Sequence, residues 1–171
     1  MTLRRRVQDE CGRRGQQAVV AGCIDLLDGQ PVDDALILAL GGRPAEYVLA
    51  GAEGGRSGYW PRVWAARGLL HAWAERATAA ILRASTDESW RVREMAAKVI
   101  ARHRVSAARL EDALTSVTAL HDDPVPRVRS AATRAAATLI DPITALSGSS
   151  PPFVTENPHF SWSGDGDRRC G

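Results

Sequence analysis

One short pattern of residues occurs twice in this chain, and this repetition restricts the possible folds more than any other feature. The first copy begins at Asp87 and the second at Asp123, 36 residues later. In both copies an Arg-Val-Arg core follows the acid, and small apolar residues, mostly alanine, follow the core. A repeat of this period is typical of stacked helical arrays, in which each unit buries its apolar face against its neighbours.

Two fainter copies precede this pair. The segment 64–69 aligns with 95–100 at an offset of 31 residues, and the segment 35–40 aligns with 65–70 at an offset of 30. Each copy holds one segment of helical periodicity followed by another. The four copies span roughly Val32 to Ile140.

The repeated pattern resembles that of the HEAT-like repeat proteins, of the short-repeat kind first noted in phycobilisome-lyase subunits. Their unit begins with Asp, has Val-Arg five and six residues later, and runs into paired alanines. The matching residues are Asp87, Val92, Arg93, Ala96 and Ala97 in one copy and Asp123, Val128, Arg129, Ala131 and Ala132 in the next. The third copy departs from the pattern, with Arg56 in place of the acid and Pro61 in place of valine. The resemblance implies an all-α, right-handed α-solenoid of about four HEAT-like helix pairs.

Helical periodicity and helix-breaking residues divide the chain into three parts. We expect N-terminal capping helices over residues 1–31, the repeat array over 32–145, and a disordered tail over 146–171. The tail is rich in Gly, Ser, Pro and Asp and has no apolar period, so it lacks the apolar content needed to offset the entropy of ordering. Three interpretations are open for its aromatic residues Phe153, Phe160 and Trp162: a short linear motif, a segment that folds back onto the array, or part of a loose tail. We favour the loose tail.

Within the first two parts, apolar stripes and breakers predict the individual helices. An amphipathic turn and a half is predicted within residues 2–14. The predicted helices that follow cover residues 16–27, 32–40, a short stretch beginning at Pro44, 59–73, 75–85, 91–103, 106–120 and a last one ending at about Ile140. The glycine-rich segment 51–58 lacks the preceding strand and the Lys-Ser/Thr ending of a phosphate-binding loop, so we interpret it as a flexible loop between repeats. In the helix over 91–103, Val92, Met95, Ala96, Val99, Ile100 and His103 form the apolar stripe, and Arg93, Glu94, Lys98 and Arg102 are left for the other side.

Charge and composition exclude few classes of protein. The net charge is only +2, which by itself does not indicate a polyanionic partner. The three cysteines fit reduced thiols better than a disulfide framework. No continuous apolar segment follows the basic residues at the start, so we expect neither a signal peptide nor a membrane span and place the protein in the cytoplasm.

No arrangement of residues indicates catalysis, a metal or a cofactor. The four histidines are far apart in sequence and none pairs with a second ligand at helical spacing. The run from His121 to Asp123 is a poor cation site, because three consecutive loop residues seldom converge and Asp123 is suited to capping a helix. The tryptophans at 60, 64 and 73 suit a buried core better than a platform for stacking bases. We therefore expect a protein that is not an enzyme.

The residues that call for explanation are Arg93 and Arg129, with Arg62 at the matching position of the third copy. In one interpretation they form a ladder of guanidinium groups that binds phosphates or acidic peptides. In the other, each pairs with the acid of a repeat-start loop, Asp87 or Asp123, and ties one unit to the next. The family resemblance favours this second, inter-repeat interpretation.

The resemblance also favours a non-enzymatic adaptor that binds another protein through a shallow concave surface. The second helix of each pair would line that surface, so the candidate contacts are Arg76, Arg83, Arg109 and Asp112. Three alternatives stay open: nucleic-acid binding, including a DNA-glycosylase-like role; a chromophore-lyase-like accessory role; and a domain that acts only within a larger assembly. Neither the partner nor the oligomeric state follows from the residues.

Overall fold

The computed structural model describes residues 1–103 and 105–147, and all of the regular structure in this part of the chain is helical. The helices are α1 (Leu3–Arg14), α2 (Gln16–Leu27), α3 (Asp34–Gly41), α4 (Arg43–Leu49), α5 (Tyr59–Leu69), α6 (Thr78–Ala84), α7 (Trp90–Arg102), α8 (Leu110–Leu120) and α9 (Pro126–Ser147). Short 3-10 turns cover Ala52–Ser57, Glu75–Ala77 and Ala107–Arg109. The predicted all-α class is confirmed for the described residues. None of the described helices combines the length and the apolar content needed to cross a membrane.

The helices pack in two rows. In the first row α3, α5, α7 and α9 lie side by side in that order, and the α7–α9 contact is the most extensive in the fold. In the second row α2, α6 and α8 contact one another in that order and also pack against the first row. Helix α1 packs on α2 and α3. Helix α2, which we had assigned to the N-terminal cap, therefore also occupies the second-row place next to α6.

Aspartates at the repeat starts set the beginnings of two first-row helices. Oδ1 of Asp87 accepts the backbone N–H of Ser89 at 2.8 Å, just before α7. Oδ1 of Asp123 accepts the N–H of Val125 at the same distance, just before α9. Each acid thus holds a turn that directs the chain into the next helix, as short acidic side chains commonly do.

A glycine separates α3 from α4, as the sequence predicts. Gly42 has φ of 68°, which a residue with a Cβ rarely adopts, and its N–H donates to the carbonyl of Leu38. Pro44 lies in the first turn of α4, where its missing N–H removes no helical bond.

Two helix ends differ from the prediction. Helix α5 ends at Leu69 and not at Trp73, because the chain turns there to begin the second-row helix, and Trp73 stacks instead on His103. Helix α9 continues past Ile140 and through Pro142 to Ser147. Pro142 does not end the helix, because its missing N–H removes only one hydrogen bond. The remaining tail, 148–171, with Phe153, Phe160 and Trp162, lies outside the described residues.

Two local predictions are also corrected. Residues 52–57, expected as a flexible loop, form a 3-10 segment interrupted where Glu53, Gly54 and Gly55 all have positive φ. The helix predicted to begin at Ser106 begins at Leu110, after a 3-10 turn. The Ser106 side chain makes no capping bond, and its N–H donates to Oε1 of Glu75 at 3.1 Å.

The buried core confirms most of the predicted stripes but not the position of Glu94. Val92, Ala96, Val99 and Ile100 of α7 are at most 1% exposed. Glu94 was assigned to the solvent side, yet it is only 7% exposed and ion-pairs with Lys98 at 2.7 Å. A helix that packs against neighbours on two sides has a wider buried face than a single stripe allows.

Candidate interaction surfaces

Arginines of the first row bind the acids that begin the next repeat. Nε of Arg62 on α5 donates to Oδ2 of Asp87 at 2.7 Å, and its Nη2 donates to Oδ1 at 3.3 Å. Both side chains are largely buried, with 16% and 11% of their surfaces exposed. The two nitrogens therefore hold the carboxylate as a fork, in the geometry that gives arginine its preference for carboxylates.

Arg93 on α7 repeats this arrangement one unit later. Its Nε and Nη2 donate to Oδ2 and Oδ1 of Asp123 at 2.6 and 3.2 Å. Its Nη1 donates to the backbone carbonyls of Asp87 and Glu88 at 2.8 and 3.0 Å. One guanidinium thus joins the loop before its own helix to the loop before the next helix.

Arg129 on α9 keeps only the first half of this pattern. Its Nη1 donates to the carbonyls of Asp123 and Pro124 at 2.7 and 3.1 Å. Among the residues that the structure describes, no carboxylate lies within ion-pairing distance of its other nitrogens. We name the set Arg62, Asp87, Arg93, Asp123 and Arg129 the arginine ladder.

Asp123 is ionised in this setting. Burial tends to raise the pKa of its carboxyl group, but the hydrogen bonds from Arg93 and from the Val125 N–H, together with the charges of Arg93 and Arg129, outweigh burial and hold the pKa below its ordinary value. The run from His121 to Asp123 does not converge on a cation in the described residues, since no group of three or more His, Cys, Asp or Glu there could hold a metal.

Two of the four candidate contact residues tie the second-row helices to each other. Arg83 at the end of α6 binds Asp28 at the end of α2, with two contacts of 2.8 Å from Nη2. Nη2 of Arg76 donates to the backbone carbonyl of Gln17. Both arginines are exposed, so their outer faces stay open to solvent while their positions are fixed.

The other two candidates pair with each other where α8 begins. Nη1 of Arg109 donates to Oδ2 of Asp112 at 3.2 Å, and both side chains are about half exposed. A shallow groove of about 260 Å³ separates this turn from the start of α6, and Arg76 and Arg109 both line it. The structure thus brings the four predicted contacts onto one row of helices but not into a single cluster.

An aromatic and basic surface on the first row was not predicted. Cζ of Arg91 lies 4.4 Å from the ring centroid of Trp90, 5.5 Å from that of Tyr59 and 5.6 Å from that of Trp60. Cζ of Arg127 lies 5.7 Å from the Trp90 ring. We name these five residues the aromatic–arginine stripe; its members join the N-terminal ends of α5, α7 and α9. Arg91 thus makes cation–π contacts with three rings contributed by α5 and α7.

Two side chains of types common in catalysis, His103 and Cys23, are held in the packed interior of the fold. Nε2 of His103 lies 2.8 Å from the carbonyl of Leu69, and its ring stacks on Trp73 at 4.4 Å. Burial, partly opposed by that hydrogen bond, lowers the pKa of His103, so the ring is neutral near pH 7. Burial raises the pKa of the Cys23 thiol to about 12, which keeps it protonated and unreactive.

Comparison with known proteins gives one match. Residues 57–137 match the family model of HEAT repeats. No curated protein and no solved structure shows significant similarity to the chain. The matched span contains α5 to α8 and the start of α9, together with both complete Arg–Asp pairs of the ladder, and it supports a HEAT-like repeat protein.

Proposed function

We propose that this chain is a non-enzymatic adaptor, a right-handed α-solenoid that presents its second row of helices to another protein. HEAT repeats commonly mediate protein–protein interaction, and residues 57–137 match that family. The observation that carries the proposal is that four charged side chains are exposed on α6, α8 and the 3-10 turns before these helices: Arg76, Arg83, Arg109 and Asp112.

These side chains are suited to binding because they are held in place before a partner arrives. Arg83 is fixed by Asp28, and Arg109 by Asp112. Immobilising a long side chain costs about 0.5–1.5 kcal/mol on association, so a side chain that is already held loses less. Exposed ion pairs contribute little to stability, only about 0–1 kcal/mol, and their value lies in position.

The charges of the row favour a protein over a nucleic acid. Acids alternate with the arginines on it, so the row has no single-sign field: its charged residues include Asp28, Glu75, Arg76, Arg83, Arg109 and Asp112. A phosphate backbone instead requires a basic patch along which it can be bound. This arrangement gives less support to the nucleic-acid and DNA-glycosylase-like alternatives. A chromophore-lyase-like accessory role rests on the repeat alone.

Affinity capture with the full chain, followed by mass spectrometry, identifies the partner, and calorimetry with the purified partner then tests the surface. We expect Arg83→Gln and Arg109→Gln each to weaken binding by roughly tenfold, about 1.4 kcal/mol. Arg43→Gln is the matched control, because Arg43 is exposed on α4, away from the second row.

Two results would reject the proposal. One is an equal loss of affinity for Arg43→Gln and the row variants. The other is tight binding of single-stranded or duplex nucleic acid at physiological salt, where we expect only the non-specific range of about 10⁻⁴ to 10⁻⁶ M.

A further inference from the structure

Helix α9 carries the third arginine of the ladder, Arg129, and no carboxylate of the described residues binds its Nε and Nη2 atoms. In Arg62 and Arg93 the Nε and Nη2 atoms hold the acid of the next repeat. In Arg129 the Nη1 atom is anchored as in Arg93, to the carbonyls five and six residues earlier. Because Nη1 is held in the same way in both residues, Nε and Nη2 of Arg129 point from α9, at the edge of the first row, as those of Arg93 point from α7.

The exposed side chains of α9 between Arg127 and Arg134 are basic or polar. Residues 126–140 contain no acid and three arginines, Arg127, Arg129 and Arg134. Arg127 reaches Glu94 on α7 at 3.4 Å, whereas Arg129 and Arg134 are exposed. An exposed threonine, Thr133, stands where the equivalent position of α7 has the buried Ala97. A polar, positively charged face suits a partner that brings carboxylates.

We propose that Arg129 is a docking site for another protein, which presents an Asp or Glu at the start of a helix. The partner's carboxylate accepts two hydrogen bonds from Nε and Nη2 of Arg129, as Asp123 does from Arg93. The partner helix then continues the first row beyond α9. This surface is separate from the second row and goes beyond the adaptor function proposed for it.

A second copy of this chain is a poor occupant through the aspartates that begin its first-row helices, because these are already bound. Asp87 is held by Arg62 and Asp123 by Arg93. At the start of α3, Asp33 pairs with Arg14 at 2.6 Å, and Asp34 pairs with Arg56. Docking a second copy through one of these acids would break an existing ion pair for each one formed.

The C-terminal segment of the same chain, residues 148–171, is also a poor occupant, because its charge complements the basic face of α9 only weakly. Residues 148–171 contain three acids, Glu156, Asp165 and Asp167, and two arginines, Arg168 and Arg169. The charges nearly cancel, so this segment carries little net attraction to a basic face.

A peptide of residues 121–140 is the probe, because it presents a free Asp123 ahead of a helix. It is made in a linear form and in a form held helical by a hydrocarbon link between positions 133 and 137, which are exposed on α9. Binding to the ¹⁵N-labelled full chain is followed by NMR, including the Nε–H signal of Arg129. We expect a dissociation constant of about 0.1 mM for the linked peptide.

Matched variants identify the fork. Arg129→Lys keeps the charge but loses the two-pronged geometry, so we expect binding to weaken roughly tenfold. An Asp123→Asn peptide should weaken by the same factor, and combining the two changes should add little further loss. Arg134→Lys, on the same helix, should change the dissociation constant by less than about threefold.

Several outcomes overturn the proposal. They are no binding of either peptide up to about 1 mM, or equal effects of Arg129→Lys and Arg134→Lys. A tighter probe affinity in a full chain with Glu156→Gln, Asp165→Asn and Asp167→Asn would assign the fork to the C-terminal segment. Self-association that Arg129→Lys abolishes would assign it to a second copy. The second-row variant Arg83→Gln should bind the peptide with unchanged affinity. The experiment therefore tests the Arg129 site separately from the second-row surface.

Discussion

Nε of Arg93 lies 2.6 Å from Oδ2 of Asp123, and this contact joins α7 to the loop that begins α9. The two side chains are 16% and 4% exposed. Because the same guanidinium also binds the carbonyls of Asp87 and Glu88, it connects two successive repeat-start loops. The ladder therefore connects successive units inside the fold. It lies where the backbone turns between helices, and its guanidinium groups satisfy backbone carbonyls that helix packing alone leaves without a donor.

Replacing Arg93 by alanine should destabilise the protein more than replacing Arg129 by alanine. Arg93→Ala removes the charge-assisted bonds to Asp123 and leaves a buried carboxylate without its cation, a loss of about 1–3 kcal/mol in the free energy of unfolding. Arg129→Ala removes only the carbonyl bonds of an exposed side chain, so we expect about 0.5–1.5 kcal/mol. Urea denaturation measures both.

Arg83→Ala is the control for this series, since its pair with Asp28 is exposed and worth about 0–1 kcal/mol. If Arg93→Ala lowered the free energy of unfolding no more than Arg83→Ala does, the ladder would have no structural role.

Acid should weaken the fold partly through Asp123. The pKa of Asp123 in the folded protein is lower than in the unfolded chain, where it is about 3.9. Its contribution to stability is therefore fully present above that unfolded value and is lost as the pH falls through the folded pKa. Asp123→Asn should cost stability at pH 6 and much less at about pH 2.5. An Asp123→Asn penalty that stays constant over this range would contradict the assignment, and Asp112→Asn provides an exposed comparison.

A methyl group added at Gly41 should not fit. A Cβ there would lie 2.7 Å from two ring atoms of Trp64 and 2.8 Å from Cβ of Ala45, both of which are buried. We expect Gly41→Ala to lower the free energy of unfolding by about 1–3 kcal/mol.

Gly12→Ala is the matched control, because no atom lies within 4 Å of a Cβ built on this glycine of α1. It should stabilise by up to about 1 kcal/mol through helix propensity. Thermal melts that rank the two variants in the opposite order would show that α3 and α5 pack differently.

Reactivity of the thiols should follow their burial. Cys23 is fully buried, and burial raises its pKa to about 12. In a Cys170→Ser variant, maleimide at pH 8 should label the half-buried Cys11 first and Cys23 only through unfolding. Peptide mapping by mass spectrometry follows each site. Fast labelling of Cys23 in the native state would show that α2 opens locally.

Structural features that recur in the repeats could be predicted from the sequence more readily than those that do not. The ladder could be found because Arg93 and Arg129 recur at a fixed distance from Asp87 and Asp123, and stacked units place recurring residues in equivalent environments. Helix α2 was predicted with its observed bounds because Gly15 and Gly29, both with positive φ, flank a clear apolar stripe.

Three other features were missed. The Arg83–Asp28 contact joins residues 55 positions apart with no repeat relation between them, so no sequence pattern marks it. Glu94 was misplaced because a single helical stripe does not show that a middle helix is covered on two sides. The aromatic–arginine stripe had one usable signal, in that Trp60, Arg91 and Arg127 occupy equivalent repeat positions, at offsets of 31 and 36 residues.

Site-specific photo-crosslinking tests the central claim, that the second row binds another protein. Benzoylphenylalanine is placed in the full chain at Arg109 on the second row or at Arg43 on α4, and each form is irradiated with the partner identified by affinity capture. We predict covalent adducts to that protein from position 109 and none from position 43, and an excess of unlabelled wild-type chain should remove them. Adducts from position 43 alone, or adducts from position 109 that contain nucleic acid, would contradict the claim.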